Sequence, residues 1–337
     1  MSKEVDLKKY VCTWPFMYTE VYDNDRQYLC CPNLMGVNVH ETGDFEKDWF
    51  GDKAKMVRES ILDGSYKYCD RKQCSHLHRV LEKDEPSFNI ITREDFESRE
   101  WNKPKWINFC FDFSCNLRCP SCRAGLINAD NKKILEIDEK VLNIEKAYSD
   151  EVEELHITST GDPFYSKSYR DYLINFQPDK YPKLQKIHLH TNGTLWNKDM
   201  WERMPNVHQY VKSAHISIDA ATKETYEKVR LNGKWEVLLS NLEYLSKEVI
   251  PNFEFIICSM VVQKDNYREM VDFVNMIKGY FGDKARIQLF KIIKFPFHTK
   301  EYWDDQCIYE PTHPEHTLFL KEIEKIKGIE HVNENLS

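Results

Sequence analysis

Three of the eleven cysteines in this 337-residue chain fall within eight residues, and they carry the clearest chemistry in the sequence. Cys115, Cys119 and Cys122 follow one another as C-x3-C-x2-C. Thiolates at such spacing hold iron–sulfur clusters or zinc. A cubane cluster takes four ligands, and so does a structural zinc ion, so this loop is one ligand short for either. A cluster bound here keeps one iron open to a ligand that is not protein. Five further cysteines lie upstream, at Cys12, Cys30, Cys31, Cys69 and Cys74. Cys110 precedes the loop, and Cys258 and Cys307 stand alone. An odd count, in a chain whose first residues lack the apolar core of an export signal, argues against a disulfide framework. Reduced thiols holding metal are the better reading, and they imply a reducing, cytoplasmic location.

Periodicity supplies the elements that must position these thiols. Residues 1–98 are irregular and cysteine-rich. Cys12 opens them, a hairpin over 21–28 leads to Cys30 and Cys31, and a helix-like stretch at 53–62 leads to Cys69 and Cys74. Residues 86–100 read as a charged linker without periodicity. From Trp106 the pattern becomes regular. Apolar runs of strand length occupy 106–113, 153–159, 184–190, 212–219, 253–262 and 285–292. Helix-like stretches at 134–147, 168–176, 222–229 with 234–247, and 266–281 separate them. Six strands alternating with helices predict an α/β fold, a partial (β/α)6 TIM-like barrel with a small cysteine-rich N-terminal domain. The expected division is 1–98, 99–295 and a C-terminal extension at 296–337 carrying one helix. Chemistry in such folds gathers at the C-terminal strand ends. Polar signatures stand at those ends here: the cysteine loop, Thr160 to Pro163, Thr191 to Gly193, Ser217 to Asp219, and Gln263.

The net charge of −8 argues against an extended nucleic-acid footprint, which would demand a basic face. No apolar run reaches the ~18 residues of a membrane span.

The cysteine loop after the first strand of a βα barrel resembles the radical S-adenosylmethionine (radical SAM) superfamily. The resemblance implies a [4Fe–4S] cluster on Cys115, Cys119 and Cys122 whose open iron takes SAM. Reductive cleavage of SAM then yields a 5′-deoxyadenosyl radical that abstracts a substrate hydrogen. It also implies that Thr160, Gly161 and Asp162 form the turn near the methionine amino group. Ser217 and Asp219 correspond to the polar pair meeting SAM, and Asn192 sits in the third-strand turn. Gln263 and Arg230 are candidate SAM contacts. The loop departs from the family at Ser121, where many members carry an aromatic residue. The N-terminal cysteines resemble half of a SPASM domain, the twitch type with one auxiliary cluster, placed here before the barrel. Cys12, Cys30, Cys69 and Cys74 are the implied ligands, with Cys31 as spare or substitute for Cys30, and a zinc site as the alternative.

Among the remaining groups, Cys110 and Cys258 read as buried filler, and Cys307 as a candidate hydrogen-atom donor. His188 and His190 share a face of the third strand and read as satisfied core histidines. The expected reaction is oxidative modification, epimerisation or cross-linking of a peptide or small polar metabolite, including dehydrogenation or epimerisation of a sugar. An electron donor such as flavodoxin or ferredoxin is the expected partner. The cysteine domain leaves no room for a fused leader-binding module, so a peptide substrate would need a separate recognition protein. The rival reading is a zinc-stabilised binding or scaffold protein on a degenerate barrel.

Overall fold

The computed structural model describes residues 5–24, 26–158 and 160–336. Residues 1–4, Asp25 in the predicted hairpin, Ser159 at the end of the second predicted strand, and Ser337 lie outside it. The chain has an α/β fold with a mostly parallel sheet. It divides into two compact units, residues 1–112 with 131–156 and 177–185, and residues 113–130 with 157–176 and 186–337.

The first unit contains β1 (Tyr10–Cys12), β2 (Tyr18–Tyr22), β3 (Arg26–Tyr28), β4 (Ile90–Thr92), β5 (Trp106–Cys110) and β6 (Glu154–Ile157). β2 and β3 form the expected hairpin, and β2 also runs parallel to β5, pairing Tyr18 with Trp106 and Tyr22 with Cys110. The predicted linker at 86–100 is instead structured. β4 pairs antiparallel with β1, and a helix at Arg93–Glu97 follows it, capped by the Thr92 hydroxyl. A three-residue strand and a five-residue helix are too short to show a period, which is why the sequence concealed them. Val11, Ile61, Leu77, Val80 and Ile90 make a separate small core here, against which Cys12, Cys69 and Cys74 pack. The helix Asn131–Tyr148 buries Ile137, Val141, Ile144 and Tyr148, one stripe at helical spacing.

The second unit carries five consecutive parallel strands, β7 (Lys186–Thr191), β8 (Val211–Ser217), β9 (Phe255–Val262), β10 (Ala285–Lys291) and β11 (Val332–Asn335). The sequence pattern missed β11, whose Val-Asn-Glu-Asn run has no apolar alternation. In β9 the side chains of Ile256, Cys258, Met260 and Val262 are all buried, so one strand face is apolar. The helix Met270–Phe281 offers Met270, Phe273, Val274, Ile277 and Phe281 as buried partners. Each such side chain contributes about 1.5–3 kcal/mol on full burial. The opposite face mixes Phe255, Ile257 and Val261 with polar residues. Register places His190 beside His215, Ser217 beside Ser259, and Ser259 beside Gln288. Among the described residues no helix is long and apolar enough to cross a membrane.

Candidate functional site

The cysteine loop belongs to the second unit, and short backbone bonds fix its path. Cys115 N–H donates to the Ile127 carbonyl (3.1 Å), and the amides of Cys122 and Arg123 both donate to the Cys119 carbonyl (2.9 and 3.1 Å). Arg118 N–H ties the loop to the Leu231 carbonyl (3.0 Å). Folded this way, Cys115, Cys119 and Cys122 line one cavity of about 110 Å³ with Thr160, Gly161, Asn192, Ser217 and Arg230.

Every sulfur in this cavity faces an N–H donor. Leu117 N–H (3.5 Å) and Asn192 Nδ2 (3.7 Å) point at Cys115 Sγ, Arg230 Nη1 at Cys119 Sγ (3.7 Å), and Arg123 Nη2 at Cys122 Sγ (3.5 Å). Burial pushes the Cys119 thiol up to about 11, and Arg230 pulls against that shift. Burial likewise raises Cys115. Three thiols that converge among amide and guanidinium donors suit a metal group that carries thiolate charge. The donor set therefore fits a three-cysteine cluster.

Arg230 is itself held charged. Burial opposes its charge, but Asp219 and Cys119 more than offset burial, and Asp219 Oδ2 lies 2.8 Å from Arg230 Nε. Asp219 takes a left-handed backbone (φ 69°), uncommon for a residue with a side chain, and accepts the Val261 N–H at 2.7 Å. It stands behind Arg230 and does not line the cavity. Asp162 is likewise fully buried. Its carboxylate accepts the Thr191 hydroxyl (2.7 Å) and the amides of Asn192 (2.9 Å), Phe164 (3.0 Å) and Tyr165 (3.2 Å). Burial still lifts its pKa above the ordinary carboxylate range, although those donors lower it. It staples the second strand end to the third and so places Asn192. The next turn needs Gly193, at φ 77°, because a Cβ there would meet Ile216 and Leu238 at 3.0 and 3.1 Å. Gln263 accepts a hydrogen bond from the Tyr302 hydroxyl (3.3 Å), also outside the cavity. Cys307 is buried with Sγ 4.0 Å from Glu310 Oε1, and it does not line the cavity.

Of the cavity residues, sequence reasoning passed over Arg123, took Thr191 only as part of the third-strand turn, and read His190 as a core histidine. His190 Nε2 sits 3.0 Å from Ser217 Oγ, and its ring stacks on His215 at 4.0 Å. The signal was present in the alternation of His188 and His190. His188 does pair with a neighbouring hydroxyl, Ser213 Oγ at 2.7 Å, as a core histidine would. Burial, then His190, drives the pKa of His215 well down, so this stack holds a neutral ring.

The first unit gathers the other cysteines. Burial raises the Cys30 thiol most, and the thiols of Cys12, Cys31, Cys69 and Cys74 add to the shift. Burial raises Cys12 also, with Cys69 and Cys74 contributing. Cys69 is pushed up to about 12 by burial and then by Cys74. Burial raises Cys31 as well, with Glu20 adding to the shift and the amides of Asn33 and Leu34 opposing it. Cys12 ends β1, and Cys74 is the residue that starts the helix Ser75–Lys83. Cys12, Cys69 and Cys74 pack against one small apolar core, and Cys30 feels the charge of all three, a set of thiols that suits a metal group needing no further ligand. Among the described residues no three His, Cys, Asp or Glu stand at the spacing of a single metal ion.

A model of the Radical SAM superfamily matches residues 113–277, which spans the cysteine loop and the strand ends described above. Direct comparison with curated proteins gives no match. Among solved structures, SuiB of Streptococcus suis is 13% identical, with a TM-score of 0.45, covering 84% of this chain and 60% of that one. Native anSMEcpe with bound AdoMet is 19% identical, with a TM-score of 0.42, covering 66% of this chain and 59% of that one. A radical SAM methyltransferase from Sphaerobacter thermophilus is 13% identical, with a TM-score of 0.42, covering 66% and 63%. The chain thus spans about 60% of the length of the SuiB chain.

Proposed function

We propose, for a chain whose residues 113–277 carry a Radical SAM superfamily domain, that it is an enzyme that cleaves SAM reductively and abstracts a hydrogen atom from its substrate. One observation carries this reading: three thiols open onto a single cavity, each facing an N–H donor, with a buried Arg230–Asp219 pair beside them. When bound, a [4Fe–4S] cluster with one iron open to SAM supplies the electron that splits SAM into methionine and a 5′-deoxyadenosyl radical.

This chain's own residues then have distinct tasks. Cys115, Cys119 and Cys122 hold the cluster. Thr160, Gly161 and Asn192 offer polar groups and a close backbone to the methionine end of SAM. Ser217 and His190, both lining the cavity, face the remainder. Arg230 balances the thiolate charge and offers a cation to a carboxylate, Asp219 holds Arg230, Asp162 places Asn192, and Gln263 is a further SAM contact from beyond the cavity wall.

Cys12, Cys30, Cys69 and Cys74 hold an auxiliary [4Fe–4S] cluster, with residues 1–98 as its domain ahead of a barrel at 99–295 and an extension at 296–337. Cys30 is preferred over Cys31 because it interacts with all three of the others. These four residues would hold a group able to accept an electron, which favours an oxidative outcome. The strand face with His190, His215, Ser217, Ser259 and Gln288 is rich in hydrogen-bonding groups, and it suits a peptide backbone or a small polar metabolite.

The test is anaerobic reconstitution with iron and sulfide, followed by chromatography for 5′-deoxyadenosine under dithionite. Product at several turnovers supports the reading. A colourless, zinc-containing protein that cleaves no SAM points to the scaffold alternative.

A further inference from the structure

The first unit buries a set of reactive groups that the proposed reaction does not use. On β2, Glu20 is buried, and three side chains donate to its carboxylate. Tyr18 Oη donates to Oε2 (2.7 Å), Tyr22 Oη to Oε1, and Cys110 Sγ to Oε1 (3.7 Å). Asn108 Nδ2 donates to the Tyr18 oxygen (3.4 Å), so the phenolic proton points at Glu20. Alternation along β2 places Tyr18, Glu20 and Tyr22 on one face, and register sets Asn108 opposite Glu20 and Cys110 opposite Tyr22.

Two indoles flank the same phenol. The Trp14 ring lies 4.5 Å from that of Tyr18 and the Trp106 ring 5.7 Å, and the indoles are 5.8 Å apart. Both indoles are half-buried, whereas Tyr18 is buried. Trp106 Nε1 is buried and has no hydrogen-bond partner among the described residues. An indole oxidised there keeps its proton and remains a strong oxidant. The phenol differs, because an oxidised phenol is a strong acid and Glu20 stands ready to take its proton. Indole cation and carboxylate thereby become neutral together, which a buried site favours. Thiols lie alongside. Trp14 N–H donates to the Cys12 thiol, and Cys31 is within electrostatic reach of Glu20 and Tyr22.

From this juxtaposition we propose that Tyr18, Tyr22 and Glu20, fed by Trp14 and Trp106, form a radical sink that diverts oxidising radicals from the N-terminal thiols. The sink stands without SAM cleavage. An oxygen-derived radical takes one electron from an indole. The indole recovers that electron from Tyr18 as the phenolic proton moves to Glu20 Oε2, so one O–H bond breaks and one forms. Tyr22 is half-buried and offers the exit. It passes its electron to Tyr18 and its proton to Glu20 Oε1, while Glu20 returns the first proton to Tyr18. A small reductant such as ascorbate then gives one hydrogen atom to Tyr22, and the cluster is restored.

The test uses azidyl radicals, made by pulse radiolysis in a solution of the full chain, because they oxidise indoles selectively. Transient absorption follows the indolyl radical as it converts to a tyrosyl radical. We expect a fast conversion, independent of protein concentration, that Tyr18→Phe removes. Glu20→Gln should slow it roughly 10²-fold, within the contribution of a positioned base. Tyr22→Phe should keep the conversion and prolong the tyrosyl radical against ascorbate. After equal radical doses, mass spectrometry of metal-stripped, alkylated peptides should show greater thiol loss at Cys12 and Cys31 in Tyr18→Phe than in wild type. A purely structural Tyr18–Glu20 bond would lower the stability of these variants and leave the conversion unchanged, which overturns the proposal. So does a wild type without the conversion, or equal thiol loss in Tyr18→Phe. Should Tyr18→Phe fail to fold, the rate in Glu20→Gln decides.

Discussion

The two cysteine sites of this protein differ in what surrounds the sulfur. In the loop at 115–122, three thiols meet guanidinium and amide donors, and a buried ion pair stands beside them. In the N-terminal unit, Cys12, Cys69 and Cys74 lie against apolar side chains, and burial is the leading influence on Cys12, Cys30 and Cys69. The first arrangement is open and polar, suited to a metal group that also binds a charged small molecule. The second packs its half-exposed thiols against apolar side chains, suited to a group saturated by protein ligands. Ligand number alone suggests the contrast, and the surroundings explain how each site would do different work.

The largest expected effect breaks the open site. Cys119→Ala removes one of three ligands, and SAM cleavage should fall below detection in a deoxyadenosine assay while the N-terminal site keeps its iron. Cys69→Ala should act on the N-terminal site alone. Iron should drop from about eight to about four per chain, the content of one cubane, with SAM still cleaved but without substrate product. Normal product formation in Cys69→Ala would remove the electron-accepting role from the N-terminal site.

The next effect is on stability. Arg230→Gln or Asp219→Asn leaves a buried charge without its partner, at about 3–5 kcal/mol. Urea unfolding of the metal-free protein should show that loss in each single variant, and the double variant should lose less than the sum. Additive losses would mean that the 2.8 Å pair is not energetically coupled.

A smaller effect concerns Glu20 on β2. Burial lifts its pKa above the ordinary carboxylate range, and hydrogen bonds from Tyr22, Tyr18 and Cys110 hold it back. The native state therefore keeps this proton at a pH where the unfolded chain has lost it. Stability from this group is present below the unfolded carboxylate value and is lost as pH rises through the raised native value. Glu20→Gln should flatten that part of the stability-versus-pH curve, and an unchanged slope would assign it to other groups.

Much of the open site was legible because its residues cluster at strand ends and carry rare types. The C-x3-C-x2-C spacing, Thr160, Gly161, Asn192, Ser217 and Arg230 all meet at one cavity. What stayed hidden was orientation. Asp162 and Asp219 carry the right chemistry, but four-way hydrogen bonding in one and a left-handed backbone in the other turn them away from the cavity. His190 was hidden for the opposite reason, since alternation on a strand gives the face and not what that face meets. The short strands at 10–12 and 90–92 pair across nearly eighty residues. No local pattern encodes such a contact. Regular β7 to β10, by contrast, follow their apolar alternation to within two residues of the expected bounds.

The central claim is that one metal group is open to SAM and the other is closed. Electron paramagnetic resonance of the reduced, fully loaded protein tests it directly, by adding SAM. The account predicts two cluster signals, one of which shifts on SAM addition and vanishes in Cys119→Ala, while the other is unmoved by SAM and vanishes in Cys69→Ala. A single signal, or two signals that both ignore SAM, would contradict it.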